Sequence, residues 1–565
     1  METFGKGARR PSRPSATVTR VLRPPLLLAS ACLLLLGGLT SSLLAPGLRA
    51  APATTSTGAT TTSAAPSVVV VSGHGWGHGL GLSQWGAAGY AKHGWTFDRI
   101  LAHYYPGTTF GEAKVSAIRV LIASGKRAVL ESTAPWTLMD AAGTKVALDP
   151  GRLVLAAKLA VADHPNLEPP YVFSAAQPLV VAGTAYPGRL TVSSQGKRVQ
   201  VVDRLDLESY LKGVVPAEMP SAWPPEALKA QAIAARSYAL ANLTKGRAFD
   251  VYGDTRDQVY GGMRVANTAT DAAVDGTAGQ VLLYNGKVAD TLFFSTSGGR
   301  TASAAESLGV AVPYLVPVAD PYDTASPYHN WGPMLIDAAT VAKRLKLAAP
   351  LADIHRVTGA SGRVTSLTLV SDDESQVTVT GSQARKALDL RSTWFTPALL
   401  RLVAAAKTMT YGGAVSLTGL VHGADGVSLE MKPFGLDWAP AGQPSVGPDG
   451  SFSAIVHPQV ATQYRLAWGN VRAGLASIAV AVRVDATIAK GVAGGTTKPV
   501  VANAAVQLQW SPSGTDDWQT VATAATDATG AFSLAATAPE AGVYRVRVAP
   551  GHGLAPGLSK PGPCC

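Results

Sequence analysis

The rhythm of apolar and polar residues changes three times along the chain. Between Leu26 and Leu44 apolar residues run nearly unbroken, with Leu33-Leu34-Leu35-Leu36 at the centre. Thr54 to Pro66 is almost entirely Thr, Ser, Ala and Gly, a composition that cannot build a core and reads as a tether. From 67 onward short apolar runs alternate with turns. Val68-Val69-Val70-Val71 predicts a strand leading into a glycine-rich loop, and Phe97–Tyr104 a short helix. Between 115 and 202 strands are expected at Ile118–Ile122, Ala128–Glu131, Leu153–Leu155, Leu190–Val192 and Val199–Val202. Pro224–Leu243 is the clearest helix, with proline at its start, Glu226 in the first turn and an alanine-rich body. Strands resume at Gln280–Tyr284 and Ala289–Phe294, and this unit closes near Trp394.

Beyond 411 the pattern is β throughout and repeats itself. Asp437-Trp438 recurs as Asp517-Trp518, Gly450 and Phe452 as Gly530 and Phe532, and Tyr464-Arg465 as Tyr544-Arg545, always at an offset of 80. Val427 and Leu429 match Val506 and Leu508 within one residue. The predicted fold class is therefore α+β: a mixed, catalytic-type domain over 67–400, strand-rich with a few helices. Two small all-β (immunoglobulin- or fibronectin-like) sandwich modules follow over 411–484 and 485–550, then a Pro/Gly-rich tail over 551–565. These modules read either as spacers with core tryptophans or as wall- or glycan-binding units.

Charge sharpens the reading of the N-terminus. The chain holds 48 Lys+Arg against 37 Asp+Glu, for a net +11. Lys6, Arg9, Arg10, Arg13, Arg20, Arg23 and Arg49 against Glu2 place +6 of this before position 51. A basic stretch, an apolar run and Ala51-Pro52-Ala53 together read as an export signal over 1–53, cleaved or retained as an anchor. Localisation is accordingly expected to be secreted or wall-associated, with the membrane touched only through this segment. The remaining +5 forms no basic run, so nucleic acid is not expected as a partner. Three cysteines exclude a disulfide scaffold; beyond Cys32 only Cys564-Cys565 remain, which excludes a cysteine-rich zinc site.

Two segments carry candidate chemistry. Residues 73–86, G-H-G-W-G-H-G-L-G-L-S-Q-W-G, have glycine at every second position from 73 to 81. This is neither a dinucleotide fingerprint nor a P-loop. It lets backbone approach a ligand closely. His74, His78, Ser83 and Gln84 offer directional hydrogen bonds, and Trp76 and Trp85 offer flat faces, a mix that suits a sugar. A structural hairpin with packed tryptophans fits as well. The spacing of His74 and His78 serves metals on helices, and this stretch is too glycine-rich for one. The second segment runs from Tyr210 to Tyr238. Glu218 follows an apolar run between Pro216 and Pro220, where desolvation raises a carboxyl pKa and suits a general acid. Arg236 lies on a small, apolar helix and needs a partner, either a ligand or a structural carboxylate.

With these motifs the sequence resembles the SpoIID/LytB family, stage II sporulation protein D and the amidase enhancer. The resemblance rests on G-H-G-L-G-L-S-Q-W-G-A at 77–87, I-L-A-H-Y-Y-P-G at 100–107, Y-L-K-G-V-V-P-A-E-M-P at 210–220 and E-A-L-K-A-Q-A-I-A-A-R-S-Y-A at 226–239. Gln258 to Gly262, Ser295 to Thr301, Pro313 to Leu315, Asp320-Pro321 and Leu390 to Phe395 add to it. It implies peptidoglycan glycan strands as substrate, Glu218 and Arg236 as catalytic residues, and lytic transglycosylase chemistry ending in 1,6-anhydro-muramyl groups. The alternative it implies is a non-catalytic activator of a cell-wall amidase, which would then be a partner. It further implies substrate contacts from His74, His78, Ser83, Gln84, Tyr238, Gln258, Ser297, Gly298 and Arg300. Some relatives hold zinc; the matching stretch Asp250–Gln258 has neither Cys nor His, so no metal and no cofactor is carried over. The motif order is circularly permuted, since the glycine-rich motif opens the domain here and Arg391-Ser-Thr-Trp-Phe395 ends it. The two ends of the domain are therefore expected to be neighbours in space.

Overall fold

The computed structural model describes residues 61–62, 67–114, 117–162, 164–244, 246–489, 492–512, 515–536 and 542–563. The expected export signal and Cys564-Cys565 lie outside these residues. The fold is strand-rich with few helices. A seven-stranded sheet (in spatial order Val251–Tyr252, Ala117–Gly125, Arg198–Asp206, Arg189–Gln195, Tyr171–Ala175, Trp136–Met139, Lys145–Leu148) is antiparallel apart from its first pair. Its Arg198–Asp206 strand feeds directly into the helix Leu207–Glu218.

Four helices pack beside it: α1 (Gln84–Lys92), α2 (Phe97–Tyr104), α3 (Leu207–Glu218) and α4 (Pro225–Ala241). Asp206 caps α3, accepting from the backbone N–H of Glu208 and Ser209. The alanines of α4 from Ala227 to Ala239 are buried and let α1, α2 and α3 approach it closely, so this helix is the axis of the main core.

Strand Ser67–His74 answers the permutation. It pairs antiparallel with Phe395–Ala404, Ser67 opposite Arg401 and Gly73 opposite Phe395, so the two ends of the motif region are hydrogen-bonded neighbours. It is the second strand of a five-stranded sheet ordered Asn330–Asp337, Ser67–His74, Phe395–Ala404, Val415–His422, Ser451–Val456. Val68 and Val70 face one core and Val69 and Val71 another, which is why the run is apolar at every position rather than every second one.

The junction expected between 400 and 411 thus falls within one sheet. That sheet shares a core with a second one formed by Ser428–Pro433, Ala439–Gly442, Thr462–Trp468 and Val471–Ala481. Thr61–Thr62, part of the expected tether, pairs in parallel with Val471–Arg472. The last unit has its own core from Val482 to Val548. The Pro/Gly-rich tail returns onto it, with Gly557–Leu558 and Gly562–Pro563 pairing with Val543–Ala549.

Candidate active site

Glu218 is the last residue of α3 and only 8% exposed. Its Oε2 accepts from Gln84 Nε2 at 3.2 Å and its Oε1 from the backbone N–H of Val259 at 3.0 Å. Both donors are neutral. Burial pushes the Glu218 carboxyl above the usual range, against the pull of these two hydrogen bonds. Its position at the negative end of the helix dipole acts in the same direction.

Gln84 reaches Glu218 because Ser83 starts α1. The Ser83 Oγ accepts from Gly86 N at 3.2 Å, turning the chain from loop to helix. The preceding loop is held open by glycine: Gly75, Gly77, Gly79 and Gly81 all have positive φ. A Cβ at Gly75 would lie 2.6 Å from the Ser297 carbonyl oxygen, and one at Gly81 would lie 2.0 Å from that of Leu292. The loop therefore lies flat on the 292–298 segment, where Leu82 and Ser83 pair in parallel with Phe293 and Phe294. Trp85, next to Gln84, packs edge-on against Trp223, five residues past Glu218, at 4.9 Å. Both tryptophans are partly exposed.

Arg236 is elsewhere. It is fully buried, and its Nε and Nη2 both donate to the Glu208 carboxylate, with Nη1 on the Gln280 carbonyl at 3.0 Å. Ten residues of α3, about 15 Å of helix axis, separate Glu208 from Glu218. The structure places Arg236 on Glu208 rather than on Glu218, where its fork ties α4 to the start of α3.

The other expected contacts fall into two groups. Gln258 is fully buried, accepting from Tyr210 and donating to the Ala235 carbonyl, and Tyr238 donates to Asp257 at 2.9 Å. Asp257 also accepts from the Tyr252 N–H. These bonds fix the loop that presents Val259 N–H to Glu218, so Gln258 and Tyr238 support the site from behind. His78 is buried with both nitrogens taken, one by the Phe293 carbonyl and one by the Leu80 N–H. Burial and nearby Arg385 lower its pKa to about 3, so it is a neutral loop anchor rather than a ligand contact. Ser83 is likewise spent on its cap.

Ser297, Gly298 and His74 form a second cluster at the other end of the loop. Asp323 accepts from Ser297 Oγ at 2.9 Å, Gly298 N at 2.6 Å and His329 Nδ1 at 2.6 Å. His74 pairs with Asn330 and rests on Trp394. Arg300 contributes an exposed side chain, while its carbonyl accepts from buried Arg363. Of the residues expected at the site, the structure brings Gln84 alone into contact with Glu218.

Sequence reasoning missed Trp223, Val259, Glu208 and Asp323. Trp223 carried a usable signal, an aromatic five positions after the candidate acid. Val259 acts through its backbone and carried none.

The SpoIID family, described as stage II sporulation protein, matches residues 195–284, the span from the seven-stranded sheet through α3 and α4 to the 280–284 strand. The amidase enhancer of Bacillus subtilis is 41% identical over 140 residues, 25% of this chain and 19% of that protein. Stage II sporulation protein D of the same organism is 34% identical over 148 residues, 23% of this chain and 43% of that protein. An uncharacterised protein of Brachyspira hyodysenteriae is 43% identical over 147 residues, 26% of this chain and 40% of that protein. The matches thus span less than half the length of these relatives. Over this region, which contains the Glu218 motif, the chain is similar to proteins of the SpoIID/LytB family.

Proposed function

We propose that this protein acts on peptidoglycan as an exported lytic transglycosylase, with Glu218 as general acid and then general base. The observation that carries this reading is the setting of Glu218: a buried carboxyl whose pKa burial raises above its ordinary range, held by two neutral donors, one of them Gln84, the neighbour in sequence of partly exposed Trp85. The protonated carboxyl donates its proton to the oxygen of the MurNAc–GlcNAc bond as the C1–O bond breaks. The resulting carboxylate then takes the proton of the muramyl C6 hydroxyl, whose oxygen bonds to C1 and closes the anhydro ring. The acid ends as it began, and no second carboxylate is needed to activate water. Gln84 and the Val259 N–H hold the carboxylate between the two transfers. Trp85 and Trp223 give sugar rings flat faces, and His74 and Arg300 remain as outer contacts. We read the two C-terminal units as immunoglobulin-like sandwiches, and residues 1–53 as the export signal.

Mass spectrometry of purified glycan strands after digestion tests this. Anhydro-muramyl ends from the unmutated chain, absent with Glu218→Gln, are the expected result. A second reading, activation of a wall amidase without cutting, is favoured by the 41% identity to the amidase enhancer. It prevails if the unmutated chain yields no anhydro ends yet accelerates a supplied amidase.

A further inference from the structure

The 80-residue repeat separates into two classes of position once its side chains are placed. Phe452 and Phe532, Tyr464 and Tyr544, and Leu429 and Leu508 are buried in their cores, and packing accounts for their recurrence. Trp438 and Trp518, with Arg465 and Arg545, are partly exposed, so core packing does not account for theirs. Yet their geometry is the same twice. The Arg465 guanidinium carbon lies 3.8 Å from the centre of the Trp438 ring, and that of Arg545 lies 3.9 Å from Trp518. Each tryptophan immediately precedes a strand, Ala439–Gly442 or Gln519–Ala525. Each arginine lies two strands across, on Thr462–Trp468 or Val543–Ala549. The strand between supplies an acceptor directly opposite the arginine: Glu430 takes the Arg465 Nε at 2.8 Å and Gln509 takes the Arg545 Nε at 2.8 Å. What is retained between the copies is the acceptor, not its charge, and its effect is to hold the guanidinium under the ring.

We propose that Trp438–Arg465 and Trp518–Arg545 are two copies of a platform that binds uncharged sugar rings of a wall glycan. A guanidinium stacked on one side fixes the ring's orientation in advance, which lowers the entropy lost on binding. A pyranose offers C–H groups to an aromatic face and hydroxyls at its edge, and exposed Asp437 and Asp517 stand beside the rings as hydroxyl acceptors. Charge is balanced at both places. Glu430 pairs with both Arg465 and Arg472, Asp437 adjoins Trp438 in sequence, and Asp516 and Asp517 accompany Arg545 and Arg547. This balance favours a neutral polyol over a polyanion. The choice of wall glycan rests on the function proposed above; the sugar chemistry rests on the platforms. Two copies on one chain bind a polymer with avidity.

The test uses the full chain carrying Glu218→Gln, so binding is read without cutting. Co-sedimentation with insoluble chitin and with purified glycan strands is compared among variants, and anhydro-end formation by the unmutated chain is scored separately. Trp438→Ala or Trp518→Ala is expected to weaken retention about tenfold, and the pair roughly 100-fold. Tyr at both positions keeps a flat ring and restores most of it. A double alanine chain that melts with the parent and binds as well as it does overturns the proposal, as does parental retention on an anionic matrix but none on chitin. Should the alanine chains melt early, Asp437→Ala with Asp517→Ala decides: several-fold weaker binding sustains the platforms, and unchanged binding overturns them.

Discussion

The two ends of α3 carry the same side chain in opposite circumstances. Glu208, in the first turn, lies where the helix dipole favours an anion and is gripped by the fork of Arg236. Glu218, at the last residue, lies where the dipole disfavours an anion and receives only an amide and a backbone N–H. One carboxyl is a closed ion pair that holds two helices together. The other is poised to keep or release a proton. Burial differs as well, since the Glu208 side chain is 29% exposed and Glu218 is buried, so partner and burial together set the two carboxyls apart.

Glu218→Gln carries the largest expected effect: anhydro-end formation falls at least ~1000-fold, read by mass spectrometry. The fold is not expected to suffer. The folded carboxyl pKa is raised, so ionisation costs stability as pH climbs above the ordinary value of about 4.3, and the glutamine chain escapes that cost. Its melting temperature relative to the parent therefore rises from acid toward neutral pH. Arg236→Ala comes next. It leaves Glu208 without its cation and costs about 3–5 kcal/mol in denaturant unfolding. Arg236→Met with Glu208→Met recovers much of this, together with activity. A double methionine chain that folds well but makes no anhydro ends would return Arg236 to the chemistry and erase the contrast.

Gln84→Leu has a smaller effect, about tenfold in kcat/KM. Since the Gln84 hydrogen bond favours the carboxylate, its loss raises the Glu218 pKa further. The alkaline limb of the pH–rate profile then moves upward, whereas the Arg236 variants leave it in place. Trp223→Ala is expected to raise KM several-fold through lost stacking, without moving that limb. A shifted limb there would assign Trp223 to the desolvation of the acid instead.

Much of the local structure was legible. Helix Phe97–Tyr104 forms as its pattern predicts, and the Pro224–Leu243 expectation becomes Pro225–Ala241. The strand expected over Ala289–Phe294 survives only at Phe293–Phe294, where the loop motif supplies its partner. Helices α1 and α3 were not legible because both contain residues that read as breakers. Gly86 and Gly213 are contact points: a Cβ at Gly86 would lie 2.1 Å from the Tyr104 hydroxyl, and one at Gly213 would lie 2.4 Å from the Tyr260 ring. Packing there offsets what glycine costs in propensity, about 1 kcal/mol per residue.

The sequence alone pointed to the residue types that carry the proposed chemistry and roughly where they lie. It singled out Glu218 as a desolvated carboxyl, placed Gln84 in a loop motif, found the repeat at 80, and required the two ends of a permuted domain to meet. The first three follow from local composition and spacing, and the last from the motif order of the family the sequence resembles. Tertiary structure decided who meets whom. It sent Gln84 to Glu218 and Arg236 to Glu208, turned His78 and Gln258 inward as supports, and laid Trp438 on Arg465 across an intervening strand. The Gln84–Glu218, Arg236–Glu208 and Trp438–Arg465 pairings join residues 27 to 134 positions apart. They are fixed by sheet register and helix packing, which no window along the chain contains.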